Sequence, residues 1–145
     1  MDDVAFQRNR ADAATIFAHL RRCDGDFATR LSERVCLEAY STKLAANTHR
    51  AEAWVKGGLV GLVALYAPDA NYACFISNVS VDPLYRRRRL AETLVRDGIE
   101  IAAGLGAVTL VLEVDVHSPG PRQLYSKLNF VPLAGQPTRW SRNVR

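Results

Sequence analysis

Asn78-Val-Ser-Val-Asp-Pro-Leu-Tyr-Arg-Arg-Arg-Arg-Leu-Ala91 is the stretch that decides the fold. A β-branched run enters Asp82-Pro83, four arginines follow at 86–89, and an apolar pattern of helical period begins at Leu90. Where a strand gives way to a helix, unpaired main-chain N–H groups and the positive end of the helix dipole converge on one point, and phosphate binds there. Guanidinium groups on that junction point to a polyphosphate ligand. A run of cations also reads as a solvated patch, a targeting element or a nucleic-acid contact. Nucleic acid would ask for interleaved aromatics or a wider basic face, and the sequence has neither, so no nucleic-acid partner is expected.

Working outward, Arg88 to Leu105 reads as a helix, with Leu90, Leu94, Ile101 and Leu105 on one face and Ala91, Val95 and Ala102 beside them. So broad a stripe implies burial against a sheet. Gly104 and Gly106 stop the helix, and Val108 to Val114 is a nearly continuous apolar run, the mark of an interior strand parallel to the one at 72–81. That is a β-α-β unit. Upstream, 51–56 and 59–66 form a hairpin turned on Gly57-Gly58, a helix spans 12–23 with little before it, and a second runs unbroken from a Ser32 N-cap to about Asn47. Downstream, Pro121 opens a short helix to Leu128, and strands at Phe130-Val131 and Thr138 to Val144 flank Ala134-Gly135. The expectation is a mixed α/β fold, with helices flanking the sheet.

The 145 residues suit a single domain spanning 1–145, and 48% hydrophobic with 23% charged residues is an ordinary globular balance. No apolar run approaches a bilayer span, so no membrane partner is expected. The acidic start Met1-Asp-Asp-Val is unlike a secretory leader, and the reading is cytoplasmic. Cys23, Cys36 and Cys74 lie too far apart for a metal or redox pair and read as reduced, mostly buried thiols; no metal site is expected. The net charge of +4 is compatible with anionic ligands.

A second motif, Leu112-Glu-Val-Asp-Val-His-Ser-Pro-Gly-Pro-Arg-Gln-Leu-Tyr-Ser-Lys-Leu-Asn-Phe130, sets a glutamate twelve positions before a helical tyrosine. Together with Val81-Asp-Pro-Leu-Tyr-Arg-Arg-Arg-Arg-Leu-Ala91, it resembles the GNAT acetyltransferases, and most closely their ribosomal-protein alanine acetyltransferase branch. The resemblance implies a mostly antiparallel sheet with a central parallel strand pair, and acetyl-CoA as co-substrate. It implies that Val79, Ser80 and Val81 pair with the pantetheine arm, that Arg86 opens the phosphate loop, and that amides of Arg87, Arg88, Arg89, Leu90, Ala91 and Glu92 hold the diphosphate. Ser118 stands at the family's asparagine, beside the cofactor arm. Arg87 and Arg89 replace family glycines, which let backbone approach phosphate without a Cβ; at Arg89 a helix start calls for only an ordinary negative φ. Asn129 replaces another glycine and tolerates the left-handed conformation that ends helices.

Acetyl transfer to an amine needs the neutral nitrogen, and an alkylammonium of pKa ~10.4 is about one part in a thousand neutral near pH 7. A base must take a proton, and the departing thiolate benefits from an acid. Glu113, at the end of a strand read as buried, is expected to have its pKa raised and to serve as base, with Asp115 or a water chain as substitutes. Tyr125 keeps its proton at neutral pH and is the expected acid. Against these stand a surface Glu113 paired with an arginine, and a Tyr125 that is a core aromatic satisfied by a backbone group. His117 is left out as a solvated loop residue.

The implied reaction is direct attack of a primary amine on acetyl-CoA, the acceptor being a small molecule such as an amino sugar or polyamine. A protein N-terminus or lysine is the alternative acceptor, and a non-catalytic CoA-binding module is the alternative function. Acceptor contacts are expected from the first two helices and the last two strands, which carry Asp24, Asp26, Glu33, Glu38, Tyr40, His49 and Arg139. Monomer and homodimer both remain open.

Overall fold

The computed structural model describes residues 3–26, 30–86, 89–115 and 119–145. Its frame is a seven-stranded sheet: β1 (Ala5–Arg8), β2 (His49–Val55), β3 (Gly58–Leu65), β4 (Ala73–Val81), β5 (Thr109–Glu113), β6 (Val131–Leu133) and β7 (Gln136–Asn143). The strands lie in the order β1-β2-β3-β4-β5-β7-β6, and only β4 and β5 run parallel. The helix α4 (Leu90–Gly104) makes the crossover between them, as the β-α-β reading expects.

Strand alternation sorts the core into two layers. Val63 and Leu65 of β3 pack toward α4 and α5 (Pro119–Lys127), whereas Leu62 and Ala64 pack toward α1 (Ala13–Cys23), α2 (Leu31–Arg34) and α3 (Leu37–Asn47). On the first side α4 lies close to the sheet because two glycines face it. A Cβ on Gly61 would sit 2.7 Å from Leu94, and one on Gly98 would sit 3.1 Å from Val63. No helix among the described residues is long and apolar enough to cross a membrane.

Several sequence expectations change. An edge strand, β1, precedes the first helix where little was expected; its four residues are exposed and show no alternation to betray it. The helix expected from Ser32 to Asn47 is broken, because Val35 adopts φ −143° and ψ 156° and splits it into α2 and α3. Ser32 is not an N-cap: it lies inside α2, and its N–H and hydroxyl both donate to Asp24. The hairpin turns on Lys56-Gly57, both at positive φ, so Gly58 is the first residue of β3 and not a turn residue. The Asn129 expectation agrees with φ 69° after α5. Cys23 and Cys74 are buried, whereas Cys36 is exposed.

A buried ion pair ties the first helical layer to the sheet. Arg50 and Glu52 on β2 meet at 3.2 Å, with side chains 5% and 0% exposed. The Glu52 carboxylate also accepts from the N–H groups of Arg10 and Ala11 and from the Trp54 indole, and the Arg50 guanidinium donates to the carbonyls of Leu44, Ala45 and Thr48 at the end of α3. Glu52→Gln leaves a buried guanidinium without its counter-charge, and unfolding free energy should fall by about 3 kcal/mol or more. Urea unfolding reads it, and an unmoved midpoint would show that the pair contributes nothing.

Candidate active site

The site begins where a ladder stops. On one edge, β4 pairs with β3 as far as Val81. On the other it pairs with β5 only through Ala73, Cys74 and Phe75, matched to Thr109, Leu110 and Val111. Past Phe75 the two parallel strands part: β5 follows β7, with Leu112 opposite Trp140 and Glu113 opposite Arg139. The β5-facing main chain of residues 76–81 is thus left without a strand partner, an internal sheet edge open to an extended amide-bearing chain.

A bulge gives that edge its second property. Leu65 pairs with Ile76 and Ala64 with Asn78, so Ser77 is the extra residue. The side-chain alternation flips across it. Cys74 and Ile76 pack toward α4 before the bulge, and Val79 and Val81 do so after it. Asn78 and Ser80 consequently turn to the α1 side, where Ser80 meets His19.

Between the parted strands lies a cleft of 1270 Å³. Its walls are residues 75–81 of β4, the end of β5, the start of α4 and α5, and, from the opposite face of the sheet, Cys23, Leu31 and Arg34. Its lining is therefore drawn from both faces of the sheet. On the α4 side, Leu90, Ala91 and Glu92 form the first helical turn at the rim, where N–H groups lack intrahelical acceptors. Arg86 and Arg89 are exposed beside them and also line the cleft. This rim is suited to an anion, and the bare edge of β4 to the amides of an extended arm. Both demands match acetyl-CoA, a diphosphate joined to a two-amide chain ending in a thioester.

Arg89 departs from expectation. It is the N-cap of α4 at φ 56° and ψ 24°, in the left-handed region and not at the ordinary negative φ of a helix start. Glycine carries no penalty there and arginine does, by roughly 1–2 kcal/mol. Glu92, in the same turn, is tied to Lys127 of α5 at 2.6 Å and to Arg96 at 3.4 Å, so its pKa is lowered, chiefly by the Lys127 hydrogen bond.

Tyr125 on α5 lines the cleft, yet is only 6% exposed and packs edge-on against Phe130 at 5.8 Å between ring centres. Burial raises its pKa above the ordinary phenol value, so the hydroxyl holds its proton at neutral pH. Glu113 is a correction. It lines the cleft, but its side chain is 60% exposed and faces Arg139 at 3.4 Å; the desolvated setting expected for it is not found. The strand parity explains the difference, because Leu110 and Leu112 take the buried positions and Glu113 falls after the last of them. Asp115 also lines the cleft, whereas Arg87, Arg88, His117 and Ser118 lie outside the described residues.

The sequence from 14 to 130 matches the model of the acetyltransferase (GNAT) family. The chain belongs to the GNAT family. Its members are acetyltransferases that use acetyl-CoA, and the mixed sheet with one parallel pair is their fold. An acetyltransferase of this family from Staphylococcus aureus superposes with a TM-score of 0.79 at 14% identity, covering 99% of this chain and 100% of that one. The GNAT N-acetyltransferase YhbS of Escherichia coli, solved in complex with CoA, gives 0.74 at 20% identity, covering 100% and 83%. The ribosomal-protein alanine N-acetyltransferase of Escherichia coli gives 0.74 at 16% identity, covering 99% and 94%. No curated protein sequence matches the chain significantly.

In this GNAT domain the cleft gathers Val79, Ser80, Val81, Arg86, Arg89, Leu90, Ala91, Glu92, Glu113 and Tyr125. The acidic acceptor contacts expected from the first helices are not in its wall: Asp24 is committed to Ser32, and Glu33 and Glu38 are exposed elsewhere, leaving Arg34 as the α2 charge that lines it. Among the described residues no cluster of His, Cys, Asp or Glu is placed to hold a metal. Sequence reasoning also passed over His19, fully buried on α1 three positions after Ile16 and four before Cys23. Helical spacing alone marks it as a polar residue on an apolar face.

Burial, followed by the Arg22 charge, lowers the His19 pKa from 6.5 to about 4. Unfolded chains therefore take up a proton below pH 6.5 that the folded protein refuses until about pH 4. Stability from this group is complete above the first value and falls by about 3 kcal/mol across the window as pH is lowered. Unfolding midpoints at pH 7 and 4.5 should differ in wild type, and the gap should narrow in His19→Gln. At Arg89, replacement by glycine should leave stability unchanged or raise it by up to ~1 kcal/mol, whereas valine should cost about 1–2 kcal/mol. Equal melting temperatures for the two variants would mean that the left-handed turn is not formed in solution.

Proposed function

We propose that this protein moves the acetyl group of acetyl-CoA to the primary amine of a small molecule by direct attack, without an acyl-enzyme. The observation that carries the reading is the cleft lined on the α4 side by Arg86, Arg89 and the first turn of α4, and on the α1 and α2 side by Cys23, Leu31 and Arg34. Acetyl-CoA supplies a thioester carbonyl and a thiol leaving group. In this reading its diphosphate is held by the amides of residues 87–92 with Arg86 and Arg89, and its arm by the β4 edge at Val79, Ser80 and Val81, with Ser118 beside it.

Tyr125 serves as the acid. Its buried phenol keeps its proton at neutral pH, so an O–H is in place to hydrogen-bond the sulfur as the C–S bond breaks and to supply the proton that the thiolate takes up. Glu113 draws the acceptor ammonium to the mouth of the cleft and passes its proton on to solvent. Exposure suits that task, because the proton must finally leave in water. On the acceptor side Leu31 and Cys23 are apolar and Arg34 is cationic, which disfavours a polycation such as a polyamine and favours a neutral-bodied amine of the amino-sugar kind.

The test is release of free thiol from acetyl-CoA over a panel of amino sugars, polyamines, amino acids and peptides, paired with calorimetry. Saturable binding with release that depends on one amine class supports the reading. Binding without release across the panel would make the chain a CoA-binding module. Tyr125→Phe should lower kcat by about 100-fold or more while the Kd for acetyl-CoA moves less than twofold. Undiminished kcat would remove the tyrosine from the chemistry.

A further inference from the structure

His19 has no part in the reaction described above, yet it occupies a fully buried position on the face of α1 that otherwise carries Ile16, Leu20 and Cys23. Burying an imidazole where a leucine would fit costs free energy unless its polar atoms are engaged. Its Nε2 lies 2.9 Å from the Ser80 hydroxyl, and that hydroxyl donates to Asn78 Oδ1 at 2.7 Å. Both partners are buried on the α1 side of β4 and both line the cleft. Tyr40 reaches the bulge, at 3.1 Å from the Ser77 carbonyl and 2.7 Å from its hydroxyl.

The directions along this chain follow from counting protons. A serine hydroxyl has one proton, and that of Ser80 goes to Asn78 Oδ1, so His19 must be the donor at Nε2. With Oδ1 engaged by Ser80, the –NH2 is the edge that Asn78 has left for the cleft it lines. Both donors, His19 and Ser80, point from α1 toward Asn78. Ser80 and Asn78 alone would be indifferent to direction, because the amide can flip and donate to the hydroxyl instead. The imidazole N–H breaks that symmetry.

We propose that His19 is a positioning residue for acetyl transfer: by donating to Ser80 it fixes the flip state of Asn78 and so sets which atoms the β4 wall presents to the incoming amine. The inference rests on the acetyl-transfer reading of the cleft, but the hydrogen-bond polarity does not. Removing the donor lets the Asn78 amide flip and turn its oxygen to the cleft, and the acceptor-facing wall reverses polarity. In this reading cofactor contacts use the main chain of the β4 edge and not these side chains, so they are unaffected.

Two measurements decide it. Long-range 15N–1H spectra of the wild-type protein near pH 7 should show His19 neutral with its proton on Nε2; a proton on Nδ1 would overturn the proposal. Steady-state thiol release should show kcat lower by about tenfold or more in His19→Leu and Ser80→Ala, with the Kd of acetyl-CoA within twofold of wild type. His19→Gln, which can place an amide N–H near the same point, should recover kcat to within about threefold. A folded His19→Leu with wild-type kcat, or a His19→Gln as slow as His19→Leu at equal melting temperature, would also overturn it. Should wild type release thiol with no amine at all, the acetyl-transfer reading falls. The tautomer and the Asn78 side-chain amide shifts, compared between wild type and Ser80→Ala, then still decide whether His19 sets the polarity of the wall.

Discussion

The parting of β4 from β5 is the constraint on which the site depends. Parallel neighbours in a sheet ordinarily stay paired, because an unpaired main-chain group shut away from water is expensive. Here the pairing ends at Phe75 and Val111 and each strand finds its remaining partners elsewhere, β4 with β3 and β5 with β7. The unmatched groups between them face an open cleft, where solvent or a ligand can reach them. Their separation is held from outside. Arg22 on α1 grips Asp82 at the end of β4 at 2.8 Å, and the same guanidinium donates to the Leu59 carbonyl on β3. Glu92 and Lys127 fasten α4 to α5 across the opposite rim.

The first helical layer is placed by the charges buried beneath it. Arg50 and Glu52 each lose hydration, and attraction between them does not by itself repay the loss. What makes the arrangement tolerable is that the remaining donors and acceptors are taken up by main chain that needs them: the last carbonyls of α3 and the N–H groups that lead into α1. Both helices are thereby referenced to β2. The position of α1 decides where His19 lies against Ser80, so a pair far from the cleft helps set the geometry of its wall.

How much of this could be read in the sequence follows from the range of each interaction. The strand at 73–81, the crossover helix and the strand at 109–113 were legible because burial imposes a period on them, and the stop signals at Gly104 and Gly106 are local. The break between α2 and α3 was not legible, because nothing in Val35-Cys36 forbids helix; Leu31 is held in the core beneath α1 while Asp24 takes Ser32. Glu113 was misjudged because a run of apolar letters hides which parity faces inward. The bulge at Ser77 is the deepest omission. It has no sequence signature of its own, yet it alone reverses the parity of Asn78 and Ser80 and so determines which side of the sheet they serve.

That reversal resolves a conflict that a regular strand could not. Direct transfer asks one stretch of main chain to hold a long ligand arriving from one face while presenting polar side chains to a second ligand arriving from the other. In an unbulged strand of this length, the residues on the α1 side after position 76 would be Ser77, Val79 and Val81, and the Asn78 and Ser80 polar groups would be driven into the apolar layer against α4. With one inserted residue, Val79 and Val81 join that layer, and Asn78 and Ser80 meet the histidine that satisfies them. The inserted residue disturbs the ladder, and its own carbonyl is engaged by Tyr40 from α3. The two faces of β4 are thus chemically distinct only beyond Ser77, the same stretch along which β5 has moved away.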